Sequence, residues 1–470
     1  MKNTTVIRPT LLALALSCAF PVLAQSNADV LTELRALRDR VAELENKLKA
    51  AEAKAPPAGG AAQWGMTPEQ ARELNRITVK TEALEDSRDA SGLRSLKISG
   101  YMDPTFIYNK NQNRSGFQFL NAVGDDGYNY DNSYFGAAVI DFQKETESGT
   151  RWRLTLAPNR GVGAVFDGQS PVHEASVSVP LGSLQRRLIA GQIPDWSGYE
   201  YLPPTQNKLI THNLLFDFTL PTAYTGVGME ITEGKWIIKS MLANMNASKK
   251  ASGNNTPVLT YRVDYSRGEY QGFGFAGVHG KAANFRAFDD TTLTGLGINP
   301  VTLSDYSGAD TSLNLFEVDG YFIRGDWTVQ GQVSVGKQRR AAVTADPVTG
   351  ELRDAKWWGM SGLVAYKFTP RFEGSGRFDY IKNNKNGGGL LGYNFADGRN
   401  GLGPDINGDP EVGANRTAMT LGLSYLFDLN TTFKVEYRMD RANLPVFENI
   451  KDATYKKSNS LFGASVLVSF

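Results

Sequence analysis

From residue 95 to the C-terminus, apolar and polar residues alternate in short runs that are separated by turn residues. A period of two residues is typical of a β-strand with one apolar face. Seven pairs of runs are joined by short turns at residues 147–149, 182–183, 233–234, 267–268, 324–325, 369–371 and 428–431. A first strand, Leu96 to Tyr108, and a last one, Ser460 to Phe470, bring the predicted total to about 16 antiparallel strands.

The connections between the pairs are longer, about 11 to 33 residues each. With an even number of strands, both chain ends lie on the side of the short turns, as in outer-membrane barrels with short periplasmic turns and long external loops. The sequence therefore predicts an all-β transmembrane barrel in the bacterial outer membrane, in contact with its lipid. A large soluble β-sandwich or propeller is the alternative.

Aromatic residues distinguish these two folds. They flank the short turns and share the parity of each strand's apolar set: Phe142, Trp152, Trp236, Tyr265, Phe273, Phe322, Trp327, Phe368, Phe372, Phe427 and Phe433. Such a ring on one face is typical of a membrane interface, and a soluble sandwich does not need it. Phe470 belongs to the same ring, which explains an aromatic residue at the very end of the chain.

Residues 1–24 are typical of a secretory signal peptide, with Lys2 and Arg8 before an apolar stretch and a small-residue cleavage site. Cleavage there removes Cys18, the only cysteine. A lipid-modified cysteine is not favoured, because the leucine expected three residues before it is absent. The formal charge of the precursor is +1, so no basic surface indicates nucleic-acid binding. No other segment has 18 consecutive apolar residues, which excludes a helical membrane protein.

Residues 25–53 form a predicted periplasmic coiled coil. Apolar residues recur at heptad spacing, and residues at g and the following e positions have opposite charges, which favours parallel self-association over a solvated amphipathic helix. The segment "RVAELE" resembles a trimer-specifying coiled-coil pattern. The predicted trimer contacts are Leu34, Leu37, Arg40, Val41, Leu44, Glu45 and Leu48.

Between the coiled coil and the barrel, the sequence predicts a linker and a second helix. Residues 54–66 are rich in Pro, Gly and Ala, as in a flexible linker. Residues 67–94 begin with a predicted capping box, with Thr67 at the N-cap, Pro68 at N1 and Gln70 at N3. This helix either continues the periplasmic region or enters the pore, and the barrel spans residues 95–470.

The whole chain resembles the trimeric bacterial outer-membrane porins that carry an N-terminal coiled coil, and parts resemble the phosphate-selective porin group and related porins of unassigned substrate. The residues behind this resemblance are the heptads, "LKISGYMD" from Leu96, "LIAGQIPDWSGYEYLP" from Leu188 and Phe470. The resemblance implies a homotrimer whose third external loop narrows the pore. That loop is Ile193 to Ala223 in chain order, and its ionisable residues are Asp195, Glu200, Lys208 and His212. The arginine ladder and lysine cluster of the phosphate-selective members are not found.

Charged residues that alternate with the apolar set indicate a wet lumen, because a charge that faces lipid near the midplane costs about 2–4 kcal/mol. The predicted pore-lining residues are Arg151, Arg153, Lys239, Arg262, Arg377, Lys434, Arg438, Asp264, Glu317, Asp319, Glu373 and Asp379. The other lumen-facing charges are Lys97, Asp103, Asp141, Glu436 and Asp440. With them the positive and negative charges nearly cancel, so the sequence favours neither anions nor cations.

The predicted function is a water-filled channel for passive diffusion of small hydrophilic solutes or ions. The alternative is an envelope structural protein that tethers the outer membrane through its coiled coil. An enzyme is not expected, because His173, His212 and His279 are isolated and no Ser/His/Asn cluster is recognisable.

One segment resembles a calcium loop. In "DINGDPE", Asp405, Asn407 and Asp409 provide alternating oxygen ligands. Pro410 and Arg416 stand where an EF-hand requires Gly and Glu, which excludes that motif. A looser calcium site stays open, and no other cofactor is expected.

Overall fold

The computed structural model describes residues 43, 46–47, 67–90, 95–118, 136–157, 171–247, 249–250, 252–283, 310–341, 354–384 and 413–470. The chain divides into two units, Met1–Arg94 and Ser95–Phe470. The predicted signal peptide, the predicted linker and the seven predicted trimer contacts lie outside the described residues. Within the described residues, no helix is both long and apolar enough to cross a membrane.

In the first unit, helix α1 spans Pro68–Ala90. The backbone N–H of Thr67 donates to Oε1 of Gln70 at 2.9 Å, and the N–H of Gln70 donates to Oγ1 of Thr67 at 3.2 Å. The predicted capping box is therefore confirmed. Further upstream, Lys47 forms an ion pair of 2.9 Å with Glu43, one helical turn away.

The second unit is a closed antiparallel β-barrel of 16 strands. Its strand segments are β1 (Leu96–Met102), β2 (Thr105–Asn109), β3 (Arg114–Gln118), β4 (Ala138–Glu145), β5 (Arg151–Leu156), β6 (Val172–Ser183), β7 (Arg186–Pro194), β8 (Ala223–Glu233), β9 (Trp236–Met245), β10 (Val258–Ser266), β11 (Gln271–Ala282), β12 (Thr311–Arg324), β13 (Trp327–Gln338), β14 (Ala355–Lys367), β15 (Phe372–Asn384), β16 (Arg416–Leu426), β17 (Thr431–Ala442) and β20 (Ser458–Ser469). A separate hairpin is formed by β18 (Phe447–Asn449) and β19 (Thr454–Lys456), and helix α2 (Leu214–Phe218) lies between β7 and β8.

The first two crossings of the barrel are each interrupted, which corrects the prediction of one continuous first strand. Pro104 has no N–H to donate, and it separates β1 from β2. Both segments pair with β20, and this pairing closes the barrel. On their other side, β2 pairs with β3 and β1 pairs with β4. The 18 segments of the sheet therefore make 16 crossings.

Short turns join all seven predicted pairs of strands at one end of the barrel, although the turn predicted at residues 182–183 lies at residues 184–185 because β6 extends to Ser183. Gly234 and Gly325 have φ angles of 59° and 58°, the left-handed conformation that tight hairpin turns require. The predicted aromatic ring is also present at this end. Its side chains touch one another, with ring centroids 4.7 Å apart for Trp236 and Tyr265 and 6.0 Å apart for Phe427 and Phe433.

The two faces of each strand differ as the alternation predicts. On β12, Phe316 and Val318 are exposed on the outer surface, whereas Glu317 and Asp319 are buried inside. The largest cluster of buried apolar residues lies inside the barrel, where Leu214 and Leu215 of α2 belong to the same cluster as wall residues such as Trp357. The interior is therefore partly filled by a segment that is not a strand.

Candidate functional site: the lumen and its inserted loop

The connection between β7 and β8, residues 195–222, contacts wall residues on distant strands, and we name it the inserted loop. Its bounds agree with the predicted Ile193 to Ala223, because β7 ends at Pro194 and β8 begins at Ala223. Asn213 caps α2 within the loop and accepts hydrogen bonds from two backbone N–H groups of the helix. The loop thus begins and ends on neighbouring strands but reaches across the lumen.

A buried irregular loop has backbone N–H and C=O groups without partners in a helix or a sheet, and each unsatisfied group costs free energy. In the inserted loop, charged side chains of the barrel wall supply these partners. Lys434 donates to the carbonyl of Pro204 at 2.7 Å. Glu436 accepts from the backbone N–H groups of Ile210 at 2.6 Å and Thr211 at 3.1 Å. The wall charges therefore act as hydrogen-bond partners for the loop backbone.

The guanidinium of Arg377, on β15, lies at the centre of this contact. Its Nη1 donates to Oε1 of Glu200 and to the carbonyl of Thr211, both at 2.7 Å. Its Nη2 donates to the carbonyl of His212 at 2.8 Å, and its Nε donates to Asp379 at 3.1 Å. The three charged side chains are almost completely inaccessible to water. Because buried charges are tolerated only when they are well paired, wall and loop form one electrostatic unit here.

Arg438, on β17, extends the network towards α2. Its Nη1 donates to the carbonyl of His212 at 2.9 Å, and its Nε donates to Asp440 at 3.0 Å. Asp440 also forms a 2.5 Å ion pair with Arg416. The guanidinium of Arg416 lies 5.3 Å from the ring centroid of Phe218 in α2, within cation–π range. The helix is thereby joined to the wall through an aromatic contact.

The start of the inserted loop contacts a second cluster, on β10 and β12. Arg262 Nη1 donates to the carbonyl of Trp196 at 2.8 Å and to Asp319 at 2.7 Å. Its Nε donates to Asp264 at 2.9 Å, and Glu317 lies 4.0 Å from Nη1. Three carboxylates therefore surround one guanidinium, which also holds the loop.

Two ionisable groups of the loop have shifted pKa values. Burial raises the pKa of Asp195 to about 6, although hydrogen bonds from the Tyr224 hydroxyl at 2.6 Å and the Ser197 N–H at 2.9 Å oppose the shift. Burial lowers the pKa of His212 to about 3, and its hydrogen bond with the carbonyl of Tyr201 at 2.8 Å opposes that shift. At neutral pH, Asp195 is therefore a carboxylate and His212 is uncharged.

The four predicted constriction-loop residues lie at different depths. Glu200 and His212 are buried, and Asp195 accepts hydrogen bonds at the start of the loop. Lys208 stays 30% exposed while its ammonium lies 2.8 Å from the carboxylate of Glu373 on β15. Lys208 therefore presents a charge to the remaining open space, whereas Glu200 and His212 do not.

The predicted pore-lining residues form two groups. Those under the inserted loop are largely withdrawn from water: Arg262, Glu317, Asp319, Glu373, Arg377, Asp379, Lys434 and Arg438. Those that the loop leaves accessible are Arg151, Arg153, Lys239 and Asp264. The period of two residues predicts which face a side chain occupies, whereas the loop decides whether that face is wet.

Several residues of this network were not predicted as site residues. Alternation along β16 places Arg416 on the inner face, so a signal for it existed. Thr211 has a neutral side chain and no motif that marks it. Its importance comes from its hydrogen bonds to Arg377, Glu436 and Arg438.

Within the described part of the chain, no three His, Cys, Asp or Glu side chains are grouped so that they could hold a metal ion. The calcium-loop residues Asp405, Asn407 and Asp409 lie outside the described residues. A calcium site there stays a prediction.

Comparison with known families gives one match over most of the chain. The model of the family described as "Protein of unknown function (DUF3138)" matches residues 7–470. No curated protein sequence is significantly similar to the chain.

Comparison with solved structures identifies the fold. OmpTdeltaL8, a loop L8 deletion mutant of OmpT, an outer membrane protein of Vibrio cholerae, is 12% identical, with 80% of this chain and 99% of that one covered and a TM-score of 0.50. The trimer form of in-vitro folded OmpT is 11% identical, with the same coverage and TM-score. An anion-selective porin from Comamonas acidovorans is 10% identical, with 80% and 99% covered and a TM-score of 0.49. The fold is that of bacterial outer-membrane porins, and the chain is an outer-membrane protein.

Proposed function

The chain belongs to the family described as "Protein of unknown function (DUF3138)", and we propose that it forms a water-filled channel through which small hydrophilic solutes or ions diffuse passively across the outer membrane. A barrel of 16 strands has a lumen too wide to be filled by its own wall side chains. The inserted loop is the observation that carries the proposal, because a long segment fixed inside such a lumen narrows it.

The loop narrows the lumen without covering all of it. Tyr201 of the loop is 53% exposed, and the wall residues Arg151 and Arg153 keep 54% and 42% of their side-chain surface exposed. Charged groups that keep this much exposure need water beside them. The channel therefore runs between the loop and the strands that carry these arginines.

The proposed transport needs no ATP, metal or covalent chemistry, because solutes move down their own gradients. We further propose that three chains associate through residues 25–53. The heptads and the complementary charges at g and e support a parallel assembly.

The experiment is a deletion within the loop, measured as single-channel conductance in planar bilayers. Removing residues 203–213 takes away the segment held by Lys434 and Glu436, so the conductance should rise. The control is a deletion of equal length, residues 288–298, in another long connection, which should change conductance far less. Heat-modifiable migration on gels verifies that each variant is folded.

Two outcomes would contradict the proposal. A loop deletion that folds and leaves the conductance unchanged places the constriction elsewhere. Wild-type protein that inserts into bilayers but produces no current steps is not a channel, and the tethering function then becomes the better explanation.

A further inference from the structure

A cavity of about 430 Å³ opens inside the barrel near the short-turn end, between β1, β4, β5 and β6. This volume lies in the range of small-molecule sites, roughly 300–1,000 Å³. The strand register places Lys97, Gln143, Arg153 and Ser176 side by side across four strands on one face. The cavity is separate from the network that holds the inserted loop.

The basic groups of this cavity have hydrogen-bond donors to spare. Among the described residues, the side chain of Lys97 forms no ion pair or hydrogen bond, whereas its backbone belongs to the ladder between β1 and β4. The shortest contact between Arg151 and Glu145 joins Nε to Oε2 at 3.1 Å, and Arg151 forms no other ion pair among the described residues. Ser178 accepts from Nε of Arg187 at 2.7 Å, and its own hydroxyl hydrogen is free to donate elsewhere.

Arg153 is fixed in place by two carboxylates. Its Nε lies 2.9 Å from Asp141 and its Nη1 lies 3.2 Å from Glu174. Asp141 also accepts from the hydroxyl of Thr155 at 2.6 Å and from the amide of Gln143 at 2.5 Å. The acceptor positions of Asp141 are therefore occupied before any solute arrives.

The cationic side chains around the cavity are more exposed to water than most of the carboxylates. The side chains of Arg151 and Arg153 are 54% and 42% exposed, whereas those of Asp141 and Glu174 are each 9% exposed. Glu145, the exposed carboxylate of the group, is engaged by Arg151. Formal charges nearly balance here, but the surface that meets water consists mainly of cationic donors.

We propose that this cavity binds the oxyanion group of a small hydrophilic solute, with Lys97 and Arg151 as the contacting residues and Arg153 as a pre-positioned donor. Donors that converge on a partly enclosed space suit carboxylate or phosphate oxygens, since charge-assisted hydrogen bonds are the strong ones. The site rests on the proposed channel function and narrows its solute class to anions. It lies at the short-turn end, which the predicted orientation of the barrel places on the periplasmic side.

The test uses the full-length protein in planar bilayers with chloride as the carrier ion. Inorganic phosphate or succinate is added to each side in turn, and the half-blocking concentration is read from the chloride current. We expect a saturable block, stronger from the periplasmic side. Lys97→Gln and Arg151→Gln should each raise the half-blocking concentration about tenfold, the loss of one charge-assisted contact. The ratio of the half-blocking concentrations of phosphate and succinate shows whether the site prefers phosphate or carboxylate.

Lys235→Gln and Arg324→Gln are the matched controls, because they remove the same charges at exposed short-turn positions outside the cavity. Their half-blocking concentrations should equal that of the wild type. Block of equal strength in all four variants would mean that the anions act elsewhere, and the proposal would be wrong. An equal concentration of sucrose should cause no saturable block.

A second measurement separates this site from the channel itself. Calorimetric titration of phosphate or succinate into detergent-purified protein reports binding without current. If the wild type shows chloride current steps but neither block by the anions nor calorimetric binding, the proposed site is wrong and the channel function still holds. Binding that Lys97→Gln weakens, in a protein without current steps, supports the site and rejects the channel.

Discussion

Nη1 of Arg377 lies 2.7 Å from Oε1 of Glu200, although 177 residues separate the two in the sequence. Arg377 belongs to the barrel wall and Glu200 to the inserted loop, so the pair exists only when the barrel is closed and the loop is in the lumen. Both side chains are shielded from water. Removing Arg377 leaves Glu200 as a buried charge without its cation, which is far more costly than removing an exposed pair.

The first prediction follows from that pair. Arg377→Met leaves Glu200 and Asp379 buried without their cation, and should weaken the docking of the loop by about 3–5 kcal/mol. Single-channel records should show higher and noisier conductance, and a protease should cut within the loop. Arg267→Met, at an exposed short turn, is the control and should resemble the wild type. Unchanged conductance and protease resistance in Arg377→Met would show that the pair does not hold the loop.

A second prediction concerns closure of the barrel. The N–H of Gly100 donates to the carbonyl of Phe470 at 3.1 Å, and the N–H of Phe470 donates back at 3.0 Å. A Cβ at Gly100 would lie only 2.6 Å from a ring carbon of Phe470 and would also clash with the carbonyl oxygen of Val139. Gly100→Val and deletion of Phe470 should therefore both reduce the fraction of folded, heat-modifiable protein.

The control for closure is Gly362→Val on β14, where an added Cβ would meet no atom within 4 Å. This variant should fold like the wild type, since valine suits a β-strand. If Gly100→Val folds as well as Gly362→Val, the contact with Phe470 does not determine closure.

A third prediction concerns the pH dependence of loop docking, in which two opposing contributions largely cancel in the wild type. Docking of the loop raises the pKa of Asp195 from 3.8 to about 6, so this group favours the docked loop at low pH and loses that contribution as the pH rises through 6. Docking lowers the pKa of His212 from 6.5 to about 3, so this group disfavours the docked loop as the pH falls below 6.5. Between about pH 4 and 6, the effects of Asp195 and His212 on the free energy of loop docking therefore change with pH in opposite directions.

Asp195→Asn removes the contribution of Asp195 to the pH dependence of docking, so the contribution of His212 should become measurable. In this variant the loop should undock as the pH falls from 6.5 towards 4, by at most about 1.4 kcal/mol per pH unit, with a matching rise in conductance. Adding His212→Gln should abolish the response. Arg377, Lys434 and Arg438, which face His212, stay charged throughout this range. A pH-independent Asp195→Asn channel would show that His212 does not titrate with docking.

The fourth prediction concerns assembly. A peptide of residues 25–53 should associate into a helical trimer, because its heptads place apolar residues on one seam and opposite charges on either side. Leu44→Asp puts a charge into that seam and should abolish association, whereas Asn46→Asp, outside the a and d positions, should not. Sedimentation equilibrium measures the oligomeric state, and a peptide that stays monomeric at high concentration would rule out this role.

Local pattern accounts for much of the fold. Alternation along each strand, turn residues at each hairpin and aromatic residues beside the short turns depend on neighbours in sequence, and all were predicted. The interruption of the first crossing was missed, although Pro104 is visible in the sequence. Its effect depends on β20, which pairs with β1 and β2 on either side of it.

The sequence by itself determined the strand number, the face that each charge occupies and the position of the loop along the chain. Only the tertiary structure decided which charges meet water. Arg153 and Arg377 have the same parity and the same chemistry in their strands, yet one side chain is 42% exposed and the other is fully buried. The difference arises because the inserted loop crosses to β15 and not to β5, and its backbone groups need partners that a charged wall can supply. Period-two alternation specifies which face of the strand a side chain occupies, but the burial of that side chain depends on contacts between residues far apart in sequence.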